Sequence, residues 1–417
     1  MKTQIQNTFR PGAGHMPPFL AGRDSEIKEF ERLLKQEVIL ENMVLTGLRG
    51  VGKTVLMDTL KPLAMNDRWL WVGTDLSETA SLSENNMAVR LLTDLSVVTS
   101  TIVTGVSEIK TVGFGALSHK IPQTLNYSTL LQVYSETPGL VADKLKNVLE
   151  IVHVYLKNIP SIKGLIFAYD EAQNLADHAV KEQYPLSLLL DVFQSIQKKG
   201  CKFILVLAGL PTLFPKLVDA RTFAERMFRV VFLDKLSNEA SRDAIVKPIE
   251  QQKCPVTLTR ESVETIINTS KGYPYFIQFI CREVFDIFVQ HYNSEKEPPK
   301  VPIEEILRKL DTDFFAGRYA RATDRQRDLL KLISNLDHAD NEFTVQEVVE
   351  ASKSEMAKPF SSSHVNQMLT TLSDAGLIYK NRHGKYSFAV PLLGEFIRRQ
   401  GSQQTETLPN PDNSFTD

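Results

Sequence analysis

The chain of 417 residues has three cysteines, Cys201, Cys254 and Cys281, with no CxxC pair and no metal-ligand spacing. That excludes a disulfide-built secreted scaffold and a cysteine-bound metal module, and it fits a reducing compartment. Long apolar runs are missing too. The longest, Phe203 to Phe214, is broken by Gly209 and Pro211 and is too short to cross a bilayer. The opening residues, Met1-Lys2-Thr3-Gln4-Ile5-Gln6-Asn7, lack the apolar core of a signal peptide. Nor does either charge dominate: 48 Lys+Arg stand against 50 Asp+Glu, a formal net of −2. Any nucleic-acid contact must therefore come from a local patch and not from a global basic field. The expectation is a cytoplasmic protein with no membrane partner and room for two or three domains.

What is present is more specific. Gly47-Leu48-Arg49-Gly50-Val51-Gly52-Lys53-Thr54 is a complete GxxxxGK[ST] loop, and Val55 continues it into a helical run. An apolar segment, Val44-Leu45, leads in. Strand, glycine loop and helix in that order aim backbone N–H groups and a helix N-terminus at a polyphosphate. Lys53 is the candidate for the β- and γ-phosphates, and Thr54 for a Mg²⁺ shell. Farther on, Leu165-Ile166-Phe167-Ala168-Tyr169 runs into Asp170-Glu171. An unbroken apolar run suits a central parallel strand, and ligands of open α/β sheets sit at the C-terminal ends of such strands. Asp170 is then the magnesium carboxylate and Glu171 the base that polarises an attacking water.

Alternation of strand and helix patterns through residue 234 predicts a doubly wound parallel α/β domain. Its expected pieces include a helix from Glu26 to Gln36 capped by Ser25 or Asp24, a strand at Trp69–Leu76, and a helix from Met87 to Val103. An N-terminal loop arm (1–18) precedes this domain (19–234), which carries an insertion (105–136) with a hairpin around Gly113-Phe114-Gly115. Residues 235–315 read as a wholly helical lid. Three helices and two strands around His383-Gly384 then describe a winged helix-turn-helix (316–400), followed by a polar, disordered tail (401–417).

With these parts in this order, the chain resembles the AAA+ P-loop ATPases, closest to the Orc1/Cdc6-like and STAND-like groups. The glycine loop corresponds to their Walker A motif and Asp170-Glu171 to Walker B. Phe19 to Glu26 is similar to their pre-loop segment, which implies that Gly22 and Arg23 lie near the adenine. Gly272-Tyr273-Pro274 resembles the glycine-x-proline of STAND lids, making Pro274 a further nucleotide contact. The stretch from Arg221 to Phe232 resembles their arginine-bearing box. It implies that Arg226 or Arg221 reaches a γ-phosphate, usually across a homo-oligomer interface, with Arg229 the weaker choice. The cofactors implied are ATP or ADP with Mg²⁺.

The departures from that pattern point to slow turnover. The strand Phe203–Gly209 ends without the Asn or Thr that positions the lytic water in many such proteins, and Thr212 is a weak substitute. The lid also lacks an early arginine; Pro274 stands there, and Arg282 lies too far along. A nucleotide-dependent switch is therefore expected, not a fast motor. In the winged helix, Lys380, Arg382, His383 and Lys385 cluster on the wing, whereas the third helix offers Ser362, Ser363, His364, Asn366, Gln367 and Thr370 without Lys or Arg. Residues 318–400 hold twelve Lys+Arg against ten Asp+Glu, a small excess where phosphate neutralisation supplies most affinity. Two readings stay open: an initiator- or loader-like ATPase gripping duplex DNA, and a signalling or defence switch whose winged helix docks a protein effector.

Overall fold

The computed structural model describes residues 5–12, 14–110, 118–294, 296–338, 341–382 and 384–406. It divides into two units, one of Arg23–Gly47 with Lys53–Leu233, the other of Met1–Gly22, Leu48–Gly52 and Asp234–Asp417. The strands of the first unit are β1 (Asn42–Thr46), β2 (Trp69–Val72), β3 (Val103–Lys110), β4 (Ser118–Thr124), β5 (Gly164–Tyr169), β6 (Phe203–Gly209) and β7 (Phe228–Phe232). Five of them form a wholly parallel sheet in the order β2-β5-β6-β1-β7. Every residue of β1, β5 and β6 is buried, as their unbroken apolar sequences require of strands covered on both faces. The doubly wound α/β expectation holds.

One buried polar side chain registers this sheet. Asn42, at the start of β1, accepts from the Leu205 N–H at 2.8 Å and exchanges hydrogen bonds with Gln197 at 2.8 and 3.2 Å. Gln197 in turn donates to the Phe203 carbonyl at 2.7 Å. A satisfied buried amide pair fixes register more sharply than apolar packing, because a slip would orphan its donors.

Several boundaries differ from the sequence reading. The first helix spans Asp24–Leu34 and has no side-chain cap, so neither Ser25 nor Asp24 plays that part. The helix expected to reach Val103 stops at Thr99, because Val103 opens the β3–β4 hairpin. β-Branched residues Val97 and Val98 weaken helical preference just before that stop. The expected turn at Gly113-Phe114-Gly115 lies outside the described residues. The insertion closes with a helix, Tyr127–Glu136, whose cap Asn126 accepts from the Thr129 N–H at 3.0 Å.

In the second unit, helices Asn238–Gln251, Arg260–Ser270 and Pro274–Asn293 are followed by Ile303–Leu310 and a π turn at Asp311–Ala316. Then come helices Asp324–Ser334, Val345–Glu355 and Ser362–Asp374, with β8 (Phe343–Thr344), β9 (Ile378–Arg382) and β10 (Lys385–Phe388). These strands make a three-stranded antiparallel sheet, β8-β10-β9, one strand more than expected. Two residues are too short for periodicity to register, so β8 was invisible as sequence. A final helix runs from Leu393 to Glu406, so residues 401–406 are helical where a disordered tail was expected.

Aromatic contacts join the helix Pro274–Asn293 to the terminal elements in one core. Phe276 packs on Phe315 at 5.8 Å between ring centroids, and Phe315 stacks on Phe396 at 5.1 Å. The expected division at residue 315 therefore falls inside a continuous apolar cluster. The N-terminal arm belongs to this cluster too. Phe9 is buried against Phe285, and Asn7 donates to the Arg282 carbonyl at 2.9 Å.

Candidate functional site

The glycine loop begins where β1 ends. Gly47 N–H donates to the Gly209 carbonyl at 3.3 Å, tying the loop's first residue to the end of the neighbouring strand β6. Gly50 and Gly52 hold φ of 78° and 92°, conformations that side chains with a Cβ rarely adopt, and a Cβ on Gly52 would meet nothing within 4 Å. Successive N–H groups in such a turn form the kind of concavity that anions bind. Lys53 and Thr54 start the helix Lys53–Asn66. Lys53 is buried and its ammonium donates to the Gly47 carbonyl at 2.9 Å, which curls the side chain back over the loop.

Opposite the helix start, β5 delivers Asp170. Its carboxylate accepts the Thr54 hydroxyl at 2.5 Å and the Glu171 N–H at 2.8 Å. The exit of β2 flanks it: Asp170 N–H donates to the Thr74 carbonyl at 3.2 Å, and Leu76 N–H to the Asp170 carbonyl at 2.9 Å. Gly73 permits this approach. It holds a φ of +132°, and a Cβ there would lie 1.8 Å from the Ala168 carbonyl oxygen.

Two acids that the sequence reading passed over sit here. Burial raises the Asp75 pKa, and the Asp170, Glu171 and Asp58 carboxylates raise it further. Burial likewise raises Asp58, with Asp170 adding to the effect and Lys61 opposing it. Both had a positional signal. Asp75 follows β2, the neighbour of β5, at the same sheet edge, and Asp58 lies one helical turn beyond Thr54.

Glu171 itself sits in the left-handed region (φ 51°, ψ 32°) and is exposed. Gln173 donates its amide N–H to the Glu171 carboxylate and accepts the Leu210 N–H at 3.1 Å. Sequence reasoning had no signal for Gln173, whose partners come from two different strand ends.

The oxygen donors fit a hard divalent cation. Thr54 and Asp170 meet directly, with further carboxylates behind them, and magnesium takes one or two protein ligands with phosphate oxygens and water completing its shell. Among the described residues no cluster of three His, Cys, Asp or Glu forms a closed metal cage.

The remaining expected site residues are placed as follows. Arg221 is engaged: it forms a two-pronged ion pair with Asp191 at 2.7 and 2.8 Å and donates to Ser187 at 2.8 Å. Arg226 is exposed, and Arg229 pairs with Glu29. Arg23 is buried beside Glu26 at 3.2 Å. In the second unit, Pro274 opens its helix as the first residue, and the next residue, Tyr275, donates its N–H to the Gly50 carbonyl at 3.2 Å. Arg318 stacks on Phe314 at 4.1 Å; burial lowers its pKa, and the Arg49 and Arg321 guanidiniums add to that. Leu48, Val51 and Val55 complete the loop, Val51 buried. On the terminal sheet Lys380 is exposed, Lys385 is half-buried opposite Arg382, and His383 lies outside the described residues.

Solved structures share this fold. The Walker-type ATPase PABY2304 of Pyrococcus abyssi superposes with a TM-score of 0.57 at 14% identity, covering 93% of this chain and 98% of that one. The Aeropyrum pernix ORC2 protein, solved as ADPNP–ADP complexes, gives 0.51 at 12% identity, covering 97% and 99%. Its ADP form gives 0.51 at 12% identity, covering 96% and 100%. No curated protein matches the sequence. A family model described as a domain of unknown function (DUF8462) matches residues 312–397. The fold is that of these Walker-type ATPase and ORC2 structures.

Proposed function

We propose that the chain binds ATP or ADP with Mg²⁺ and hydrolyses ATP slowly, as a nucleotide-dependent switch. The observation that carries this reading is the Thr54–Asp170 contact beside an amide-lined glycine loop. Loop amides and Lys53 hold the β- and γ-phosphates. Thr54 and Asp170 would hold Mg²⁺, which when bound would supply charge neutralisation at the phosphate oxygens. Glu171 accepts a proton as a water oxygen attacks the γ-phosphorus; the bond from phosphorus to the ADP oxygen breaks. Arg226, exposed and without a described ion-pair partner, is the better candidate to reach a γ-phosphate in a neighbouring copy. Arg221 has a carboxylate to give up first. Calorimetry with Mg-ATP and Mg-ADP tests the reading: measurable binding is expected, and no heat with either nucleotide overturns it.

Helices Asp324–Ser334, Val345–Glu355 and Ser362–Asp374 with their antiparallel sheet are read as a winged helix that holds duplex DNA in an initiator- or loader-like role. Ser362, Ser363, His364, Asn366, Gln367 and Thr370 are all exposed on the third helix, beside the wing that carries Lys380, Arg382 and Lys385. The competing reading, a signalling or defence switch that docks a protein effector, is favoured by the absence of Lys and Arg from that helix. Duplex binding measured across salt concentrations separates them. A DNA-holding wing loses affinity steeply with salt and on replacing Lys380, Arg382 and Lys385 with alanine. A protein-docking wing shows no duplex binding at physiological salt.

A further inference from the structure

We propose that Gln173 is a positioning residue that aims the Glu171 carboxylate, coupling it to the end of β6. The inference rests on the reading of Glu171 as the base. Gln173 is restrained at three points. Its side-chain oxygen accepts the Leu210 N–H at 3.1 Å, its backbone carbonyl accepts the Lys216 ammonium at 2.7 Å, and its amide N–H donates to one Glu171 oxygen. Room for the side chain is built into β6: a Cβ on Gly209 would lie 2.6 Å from the Gln173 oxygen. Lys216 is drawn into this arrangement, and burial lowers its pKa.

The chemical consequence follows from donor count. Glu171 stands in a left-handed backbone conformation at an exposed strand end, where its carboxylate has several rotamers open to it. One amide donor on Oε2 selects among them and leaves Oε1 for a water. No side chain at the end of β6 does this job, because that segment reads Gly209-Leu210-Pro211. Gln173 supplies the donor from the neighbouring strand end instead, and Leu210 contributes only its backbone N–H.

Gln173→Glu keeps the length, the acceptor for Leu210 and the backbone acceptor for Lys216, and replaces the N–H to Glu171 with a second carboxylate that repels it. Gln173→Met keeps the length and removes both side-chain bonds. The full-length chain and both variants are compared for Mg-ATP affinity by calorimetry, for kcat and KM by phosphate release, and for melting temperature. The expected result is a fall in kcat on the order of 10- to 100-fold in both variants, with affinity unchanged, the scale on which misplacing a catalytic group acts. In a Glu171→Gln background neither change lowers the residual turnover further, because the group being aimed is gone.

Wild-type kcat in either variant, a loss confined to affinity, or an additive loss in the Glu171→Gln background overturns the positioning role. A wild-type chain that binds and hydrolyses ATP while Glu171→Gln turns over normally overturns the base assignment, and the positioning role with it. A wild-type chain without turnover overturns hydrolysis itself.

Discussion

The Thr54 hydroxyl donates to the Asp170 carboxylate across 2.5 Å, although 116 positions separate the two residues. One opens the helix behind the glycine loop and the other closes β5. Their contact brings the two halves of the proposed magnesium–phosphate site to one sheet edge. Nothing in either segment alone requires this. It follows from the strand order, which sets β6 between β5 and β1, so that both strand ends face the same side.

Lys53→Ala is expected to weaken Mg-ATP binding by about a hundredfold or more, the scale of charge-assisted bonds lost from a shielded site. Glu171→Gln is expected to keep binding and lose turnover. Calorimetry and phosphate release on the same preparations check both outcomes, and tight ATP binding by the Lys53 variant would count against the site as drawn.

Arg221 and Arg226 separate structure from chemistry. Replacing Arg221 with alanine breaks its pair with Asp191 and the bond to Ser187. Because both side chains of that pair are more than a third exposed, the stability cost stays near ~1 kcal/mol. Arg226→Ala is expected to leave melting unchanged and to lower turnover only at concentrations where copies associate. Thermal melts and a concentration series of ATPase rates make the comparison.

Gly73→Ala is expected to be the most damaging small substitution near the site. Its Cβ would overlap the Ala168 carbonyl, and φ +132° is strained for any side chain. Clash and strain together place the loss at about 4 kcal/mol or more. Trp69 and Trp71 sit in β2 itself, so a fall in the urea midpoint followed by tryptophan fluorescence reports it directly.

Acid sensitivity has a defined contributor in the second unit. Glu347 closes a reciprocal cap with Thr344, and the bond from the Thr344 hydroxyl holds the Glu347 pKa below its ordinary value. A carboxylate depressed in the folded state adds stability above its unfolded pKa and loses it as pH falls through the folded one. Thr344→Ala should cost about 1 kcal/mol at neutral pH and shrink the difference from wild type as pH drops below 4. A pH series of melting temperatures tests the sign.

Much of this was legible as sequence. The runs at β1, β5 and β6 carry no polar alternation, so a buried parallel sheet was the arrangement that satisfied them. The glycine loop announces its own backbone conformation, since Gly50 and Gly52 occupy left-handed angles. The helices Asn238–Gln251, Arg260–Ser270 and Pro274–Asn293 fall inside the stretch that reads as wholly helical. Less was legible where partners are distant. Phe9 looked like part of a loop arm because its neighbours include proline and glycine, and the distant helix Pro274–Asn293 supplies a face that it packs on. The boundary expected at residue 315 followed a change in helix pattern. The stacking of Phe315 on Phe396 continues the core straight through it.

The linear order of residues by itself determined the glycine loop, the acidic strand end and the parallel sheet, because each depends on periodicity and backbone freedom within a dozen positions. Tertiary structure alone decided that Asp75 stands beside Asp170, that Arg221 is tied to Asp191, and that Gln173 grips Glu171. Those relationships join separate elements, and side-chain proximity across such distances is set by how strands order and helices pack, which local patterns do not record.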